Sequence, residues 1–357
     1  MSNEIKEKNI LELSSNTDLS NKSDLSNNID LSNNIDLSNN IDLTNNIDLS
    51  GNIDLSGNID LSGNIDLSNN IDLSNNIDLS NKTDLSNNIT CLCFSGGGIK
   101  GISFIGALER LIEKKLIYLN NINLFVGTSI GSMISFLLCL DIDIQEIKDF
   151  VLTFNFSKLT GEIDCLNLFE QYGINNGERI KLIFIKFLEI KYNIKDVTFE
   201  ELYKLTNKKL IIIGTNISKS CEKIFSVDLT PTFSVINAIR ISISIPIVFT
   251  QVTIDNDIFV DGALVNNFPI NHCPENQTIG LYIKNSKECN IDSIQSLVIQ
   301  CLSITSDTIS EIYINKYKKN IIKIINTNYE FTKFDLSLDY KKSLLKLGHE
   351  SVNLANL

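Results

Sequence analysis

Over residues 21–86 the chain repeats one six-residue unit eleven times, Asn-Asn-Ile-Asp-Leu-Ser with Gly, Lys, Thr or Ser replacing single positions. The period is six rather than that of a helix. Ile and Leu recur two apart and then skip four, so each unit is read either as a short strand on one coil of a solenoid or as low-complexity chain without fixed structure. On both readings residues 1–89 are a separate tail that contributes no core of the usual kind. A conventional core is confined to residues 90–357, about 265 residues, which length alone makes one domain.

Charge divides the chain at the same place. Residues 1–90 hold 15 Asp and Glu against 4 Lys and Arg, and the remainder 28 against 27, so the net charge of −12 belongs almost wholly to the tail. The nearly neutral remainder has no basic field suited to nucleic acid, and no nucleic-acid partner is expected. Residues 1–9 are polar and charged with no apolar stretch behind them, which predicts no secretory signal and a cytoplasmic protein, peripheral at membranes at most. Eight cysteines (Cys91, Cys93, Cys139, Cys165, Cys221, Cys273, Cys289 and Cys301) fall mostly in apolar segments, without CxxC or Cys/His ligand spacing. They read as reduced core residues, and neither a metal site nor a cofactor is expected. Residues 116–140 carry no charge and are long enough to cross a bilayer. Asn120, Asn121, Asn123 and Gly/Ser pairs interrupt the run, and a buried strand, a tight turn and a buried helix in series explain it without a membrane.

The remainder alternates strand and helix. Residues 90–95 read as a short buried strand, followed by Gly96-Gly97-Gly98-Ile99-Lys100-Gly101 and a helix whose Ile105, Leu108, Leu111 and Ile112 keep helical spacing. A second strand at 124–126 runs into a helix over 130–140, a unit that implies a parallel sheet. Thr198 and Glu201 form a capping box ahead of a helix, residues 209–215 are an apolar strand, and 252–254 with 259–260 flank a turn that delivers Asp261. Further elements are a strand at 278–283, a long helix at about 291–319, a strand at 321–325 and a closing helix near 339–354.

Between the second strand and its helix lies Gly127-Thr128-Ser129-Ile130-Gly131, a GxSxG segment. Glycines two residues to either side permit a sharp strand-to-helix turn that exposes a serine hydroxyl, and the helix aims its N-terminal amides at the same spot. The earlier loop, Gly96, Gly98 and Gly101, satisfies GxGxxG after a strand and before a helix. A dinucleotide site would end its second strand in Asp or Glu, whereas this one ends in Gly127 and the serine turn; a GxxxxGK[ST] phosphate loop is absent too. Loop and serine together suit an oxyanion hole, in which glycine amides meet a developing alkoxide. The base for such a serine is ordinarily His, yet the chain has only His272 and His349. The order Ser129, Asp261, His349 matches that of an α/β-hydrolase triad, while Asp261-Gly262 alone would read as a turn.

The glycine loop, the GxSxG segment and Asp261-Gly262-Ala263, in this order, resemble the signature of patatin-like phospholipases. Arg240-Ile241-Ser242-Ile243-Ser244-Ile245-Pro246 and Val260-Asp261-Gly262-Ala263-Leu264-Val265-Asn266-Asn267-Phe268-Pro269 extend the resemblance over about residues 90–357. It implies a three-layer α/β/α fold with a mainly parallel central sheet, and cleavage of fatty-acyl esters by a Ser-Asp dyad without histidine. Ser129 would be the nucleophile, Asp261 the proton acceptor, and Gly96, Gly97 and Gly98 the oxyanion hole, with Lys100, Gly101, Gly127, Gly131 and Gly262 as supporting motif positions. Lys100 stands where the family commonly carries Arg, so a bidentate contact is not expected from it.

The implied substrate is a phospholipid or other lipid acyl ester, reached by transient contact with a membrane surface and without Ca²⁺. Such a lone carboxylate should be buried enough to raise its pKa. Apolar residues 245–249 are read either as a lipid access edge or as a buried strand, and Lys316-Tyr317-Lys318-Lys319 as a solvated helix end or a contact for anionic membrane. The alternatives kept open are a Ser-Asp-His triad esterase and an inactive scaffold whose repeat tail binds an unidentified protein.

Overall fold

The computed structural model describes residues 88–160, 172–285, 291, 294–317, 320–326 and 335–353, with the backbone of short strands between residues 10 and 78. By internal contacts the chain divides into Met1–Leu85 and Ser86–Leu357. In the first unit the described residues are short strands on the Ile-Asp-Leu-Ser part of each repeat, such as Ile29–Ser32 against Ile47–Ser50 and Ile35–Ser38 against Ile53–Ser56. Each of these pairs in parallel with the strand three repeats away, and from residue 29 onward Ile meets Ile, Asp meets Asp and Leu meets Leu in register. Among the described residues this gives three four-stranded sheets.

The second unit opens with β1 (Cys91–Phe94), a short 3-10 turn at Gly98–Gly101 and α1 (Ile102–Glu113), then β2 (Leu124–Thr128) and α2 (Ile130–Cys139). The helices α3 (Ile144–Thr153) and α4 (Ser157–Thr160), the strand β3 (Gly173–Asn175) and α5 (Glu178–Tyr192) follow. Next come α6 (Phe199–Thr206), β4 (Lys209–Asn216), β5 (Cys221–Ser226) and α7 (Val235–Ser242). After β6 (Ile247–Phe249), β7 (Val252–Ile254), β8 (Asp257–Asp261) and the single turn α8 (Ala263–Asn266), the chain closes with β9 (Thr278–Asn285), α9 (Ile294–Lys316), β10 (Ile321–Asn326) and α10 (Leu338–Asn353).

The sheet order is β7-β8-β4-β2-β1-β9-β10, with β5 also paired to β4. From β4 to β10 the strands are parallel, and β5, β7 and β8 join antiparallel. Strands buried on both faces need continuous apolar runs, which is why Cys91, Leu92, Cys93 and Phe94 are all fully buried. The order moves one way from β1 to β2 and the other way from β9 to β10, so right-handed crossovers put α1 and α9 on opposite faces of the sheet. The result is the α/β fold, with a mostly parallel central sheet between helices, that the sequence pattern predicts.

Local expectations fare well where the periodicity was clear. Thr198 Oγ1 accepts from the Glu201 amide at 3.2 Å and Glu201 Oε2 from the Thr198 amide at 2.8 Å, a complete capping box on α6. The uncharged run at 116–140 is a loop, β2, a turn and the buried α2, and no helix among the described residues is long and apolar enough to cross a membrane. Cys91, Cys93 and Cys273 pack together as free thiols with Val126, Phe268 and Tyr282, and burial raises the pKa of all three; Cys139 is buried too, but Cys221 and Cys301 are exposed, so the core reading fails for those two. Cys165, Cys289, Lys318 and Lys319 lie outside the described residues.

Candidate active site

The glycine loop leaves the C-terminal end of β1, the serine turn that of β2, and α9 follows β9. These ends meet beside β1, where the strand order reverses, the position at which open α/β sheets present a ligand crevice. Asp261 reaches it from the end of β8. A narrow cleft of about 70 Å³ opens there, with residues 96–98, Ser129 and Asp261 on one wall and Ile299, Leu302 and Asp307 of α9 on the other.

Ser129 occupies the N-cap position of α2 with φ 52° and ψ −124°. A side chain at positive φ costs about 1–3 kcal/mol, so the surroundings must impose it. Glycine is required at both flanks: a Cβ on Gly127 would strike the Gly131 carbonyl, and one on Gly131 the carbonyls of Phe94 and Ser95. The Ser129 amide donates to Ser242 Oγ at 2.8 Å, and that hydroxyl donates onward to the Ile213 carbonyl at 2.6 Å. Ser132 Oγ holds the Ser129 carbonyl at 2.6 Å.

The Ser129 hydroxyl donates to Asp261 Oδ2 at 2.7 Å, and the Ala263 amide donates to Oδ1 at 2.8 Å. Asp261 is only 1% exposed. Burial pushes its pKa up to about 7, opposed by the Ala263 amide and then by the Ser129 hydroxyl. Its own backbone is held at both ends, the amide by the Ser244 carbonyl at 2.9 Å and the carbonyl by Thr215 Oγ1 at 2.7 Å. Behind it the buried Arg240 donates to the carbonyls of Asn176 and Thr250, each at 2.8 Å, and to Ser244 Oγ. Its guanidinium thus ties α7 to the segment that carries Ser244.

The loop after β1 is less uniform than its glycines suggest. The Gly96 amide donates to the Asn267 carbonyl at 2.9 Å, so of the three glycines expected to form an oxyanion hole, Gly96 has its amide already engaged. Among the described residues no group accepts from the Gly97 or Gly98 amides. Gly98 has φ 56°, a conformation that favours glycine, and this turns the loop into the 3-10 segment. Ser95 Oγ anchors the loop to β9, accepting from the Ile283 amide at 3.0 Å and donating to the Gly96 carbonyl at 2.8 Å. Gly101 lies against Ile130, and Gly262 against the Ile213 carbonyl. Lys100 is 1% exposed; burial lowers its pKa to about 8, with Asp307 opposing.

The two histidines are elsewhere. His349 Nε2 lies 3.1 Å from Glu113 between α10 and α1, and His272 Nε2 lies 3.1 Å from both Glu222 carboxylate oxygens. The triad order of Ser129, Asp261 and His349 is therefore not a hydrogen-bonded arrangement in space. Ile245 lines the cleft, while Val248 and Phe249 are buried in β6. Among the described residues no group of three or more His, Cys, Asp or Glu is placed to hold a metal ion. Sequence reasoning quoted Ser242, Ser244 and Asn267 without assigning them work, and left Ser95 and Thr215 unassigned. Their tasks depend on contacts between segments far apart in the chain, which spacing does not encode.

The fold and this cleft place the protein among α/β proteins whose functional residues sit at the strand ends. Over residues 92–273 the sequence matches the patatin-like phospholipase model, and the chain belongs to that family. It is 29% identical over 276 residues to an uncharacterized protein of Acanthamoeba polyphaga mimivirus, covering 73% of this chain and 91% of that one. It is 36% identical over 189 residues to a probable lipid hydrolase of Invertebrate iridescent virus 6, covering 50% of this chain but 61% of the relative. Among solved structures, VipD from Legionella pneumophila shares the fold with a TM-score of 0.56 at 16% identity, over 75% of this chain and 66% of VipD.

Proposed function

We propose that the protein is a serine-dependent lipid acyl hydrolase of the phospholipase A or lysophospholipase type, acting through Ser129 and Asp261. The observation that carries this reading is the 2.7 Å hydrogen bond from the Ser129 hydroxyl to a buried carboxylate at the floor of a cleft. Asp261 takes the hydroxyl proton as Oγ attacks the ester carbonyl carbon. The oxyanion that forms is met by the Gly97 and Gly98 amides; one such donor is typically worth ~3 kcal/mol in the transition state. Collapse breaks the acyl C–O bond, and the leaving alkoxide recovers the proton from Asp261. Water then gives a proton to Asp261 and attacks the acyl-serine, releasing the fatty acid and returning the proton to Ser129.

Asp261 suits the part because burial brings its pKa near the working pH, whereas a solvated carboxylate is too weak a base. The family and the probable lipid hydrolase among the relatives support a lipid ester as substrate. For the tail we retain the solenoid reading, supported by the in-register pairing of repeats.

Labelling with a fluorophosphonate, located by mass spectrometry, tests the enzyme reading against the scaffold. The adduct is expected on Ser129 and absent from Ser129→Ala, and both Ser129→Ala and Asp261→Asn should lose hydrolysis of a chromogenic acyl ester. A folded protein that neither labels nor hydrolyses refutes the enzyme reading.

A further inference from the structure

The helix α5 is apolar on more of its circumference than the core covers. Ile180, Phe184 and Leu188, spaced four apart, are buried and account for one stripe. Leu182 and Ile190 point away from it and are 60% and 74% exposed. Beside them Ile183 and Phe187 line a groove with Phe150 of α3 and Phe154 just after it, with ring centroids 5.4 Å apart for Phe150 and Phe187 and 4.9 Å for Phe150 and Phe154. The two helices and α4 thereby border an open groove of about 440 Å³.

Among the described residues, the charged groups that line this groove have one sign: Lys158, Arg179 and Lys186 line it, and no carboxylate does. Arg179 donates to the Lys158 carbonyl at 2.8 Å, which holds two of the cationic residues together on the rim. Lys186 is 67% exposed and pairs at 3.3 Å with Glu189, which is not part of the lining. Projecting aliphatic side chains, an open apolar groove and a cationic rim correspond to the layers of an anionic bilayer. The apolar groups reach the acyl level while Lys and Arg stay with the phosphates. A second copy on the same face would set these cations against themselves across a twofold axis, which is unfavourable.

We propose that the face formed by α3, α4 and α5 docks the protein on an anionic lipid surface. Docking there is local: the acidic excess lies in the tail, and residues 91–357 are nearly neutral. Binding is separate from turnover, so the proposal stands or falls independently of the Ser-Asp chemistry.

The test is flotation of the full chain carrying Ser129→Ala with vesicles of phosphatidylcholine alone or with about one fifth phosphatidylglycerol. Binding should favour the anionic vesicles and weaken at about 0.5 M NaCl. Lys158→Glu with Lys186→Glu should reduce it about tenfold or more, and so should Leu182→Ser with Ile190→Ser. All four positions are exposed and outside the cleft. In the Ser129 background both pairs should therefore keep the far-UV circular dichroism, and any hydrolysis of a short soluble ester, of their parent. Absence of binding to anionic vesicles, or binding indifferent to both pairs, overturns the proposal. A dimer that Leu182→Ser with Ile190→Ser dissociates would likewise overturn it and assign the face to a second copy.

Discussion

Asp261→Asn should abolish hydrolysis and at the same time stabilise the protein, by an amount that grows with pH. Asp261 is 1% exposed, and burial raises its pKa from the usual 3.8 to about 7. Between those values the folded protein holds a proton that the unfolded chain has released, so stability falls as pH rises from about 4 to about 7 and is flat beyond. A shift of roughly 3 units at about 1.4 kcal/mol each amounts to about 4 kcal/mol at pH 8, and to almost nothing at pH 4. Asparagine is neutral throughout and close in shape. Its Oδ1 can accept from the Ala263 amide, and its Nδ2 can donate to Ser129 Oγ, so both hydrogen bonds survive in altered polarity. Urea unfolding of parent and variant at a series of pH values measures the difference directly. It should rise from near zero at pH 4 to about 4 kcal/mol at pH 8, or about 8 °C in Tm at roughly 2 °C per kcal/mol for a unit of this size. A difference that stays constant from pH 5 to 8, or a variant less stable than its parent at pH 8, refutes the claim that Asp261 is ionised at a cost to the fold.

On the dyad reading kcat/KM for a soluble ester should climb about tenfold per pH unit below about 7 and level off above it, as Asp261 ionises. His272→Ala and His349→Ala should leave that inflection in place; its loss in either would move the base to histidine. Ser242→Ala removes the acceptor of the Ser129 amide and the donor to the Ile213 carbonyl, which should cost about 1–3 kcal/mol of stability in chemical denaturation. It should also lower kcat with little change in KM, and an unchanged kcat would show that the Ser242 hydroxyl does not position Ser129. Thr198→Ala, which breaks the α6 capping box away from the cleft, should lower stability by about 1 kcal/mol and leave kcat alone.

How far the sequence could be read follows from the range over which its signals act. The crossover units around β1, β2, β4 and β9 were legible because each apolar run, glycine break and amphipathic helix is local, and local order with right-handed connections largely dictates a parallel sheet. The long helix expected at about 291–319 is described as Ile294–Lys316, and its middle was easier to read than its ends, because helix ends carry weaker signals. At the site, the serine turn and Asp261 were visible as short motifs, and they lie within hydrogen-bond distance of each other. The engagement of the Gly96 amide was not visible, since its acceptor, Asn267, is far away in the chain. The same holds for Ser242, whose role exists only once α7 is laid against β4 and the serine turn. The groove along α5 was missed for a different reason. Apolar and charged residues alternate around α5, so its sequence marks no single inward face, and only the packing shows which apolar residues are left uncovered.

A carboxylate can take the place of imidazole beside Ser129 only if nothing nearby holds it in the charged form. A cation within about 4–6 Å would lower its pKa by one to three units and return it to the range of an ordinary weak base. The buried cations of this region are arranged otherwise. Arg240 directs its donors to carbonyls of Asn176 and Thr250 and to Ser244 Oγ, and Lys100 interacts with the charge of Asp307. Besides burial, the influences on Asp261 are one backbone amide and the Ser129 hydroxyl, neither of them charged. Arg240 thus reinforces the backbone behind Asp261 without neutralising it, and the bracket made by Ser242, Ser244 and Thr215 offsets part of the cost of an ionised buried group and a strained serine. On the proposed reading, an Arg240 guanidinium turned toward Asp261 would make a more stable protein and a poorer enzyme, because the ion pair would lower the basicity that the buried site provides.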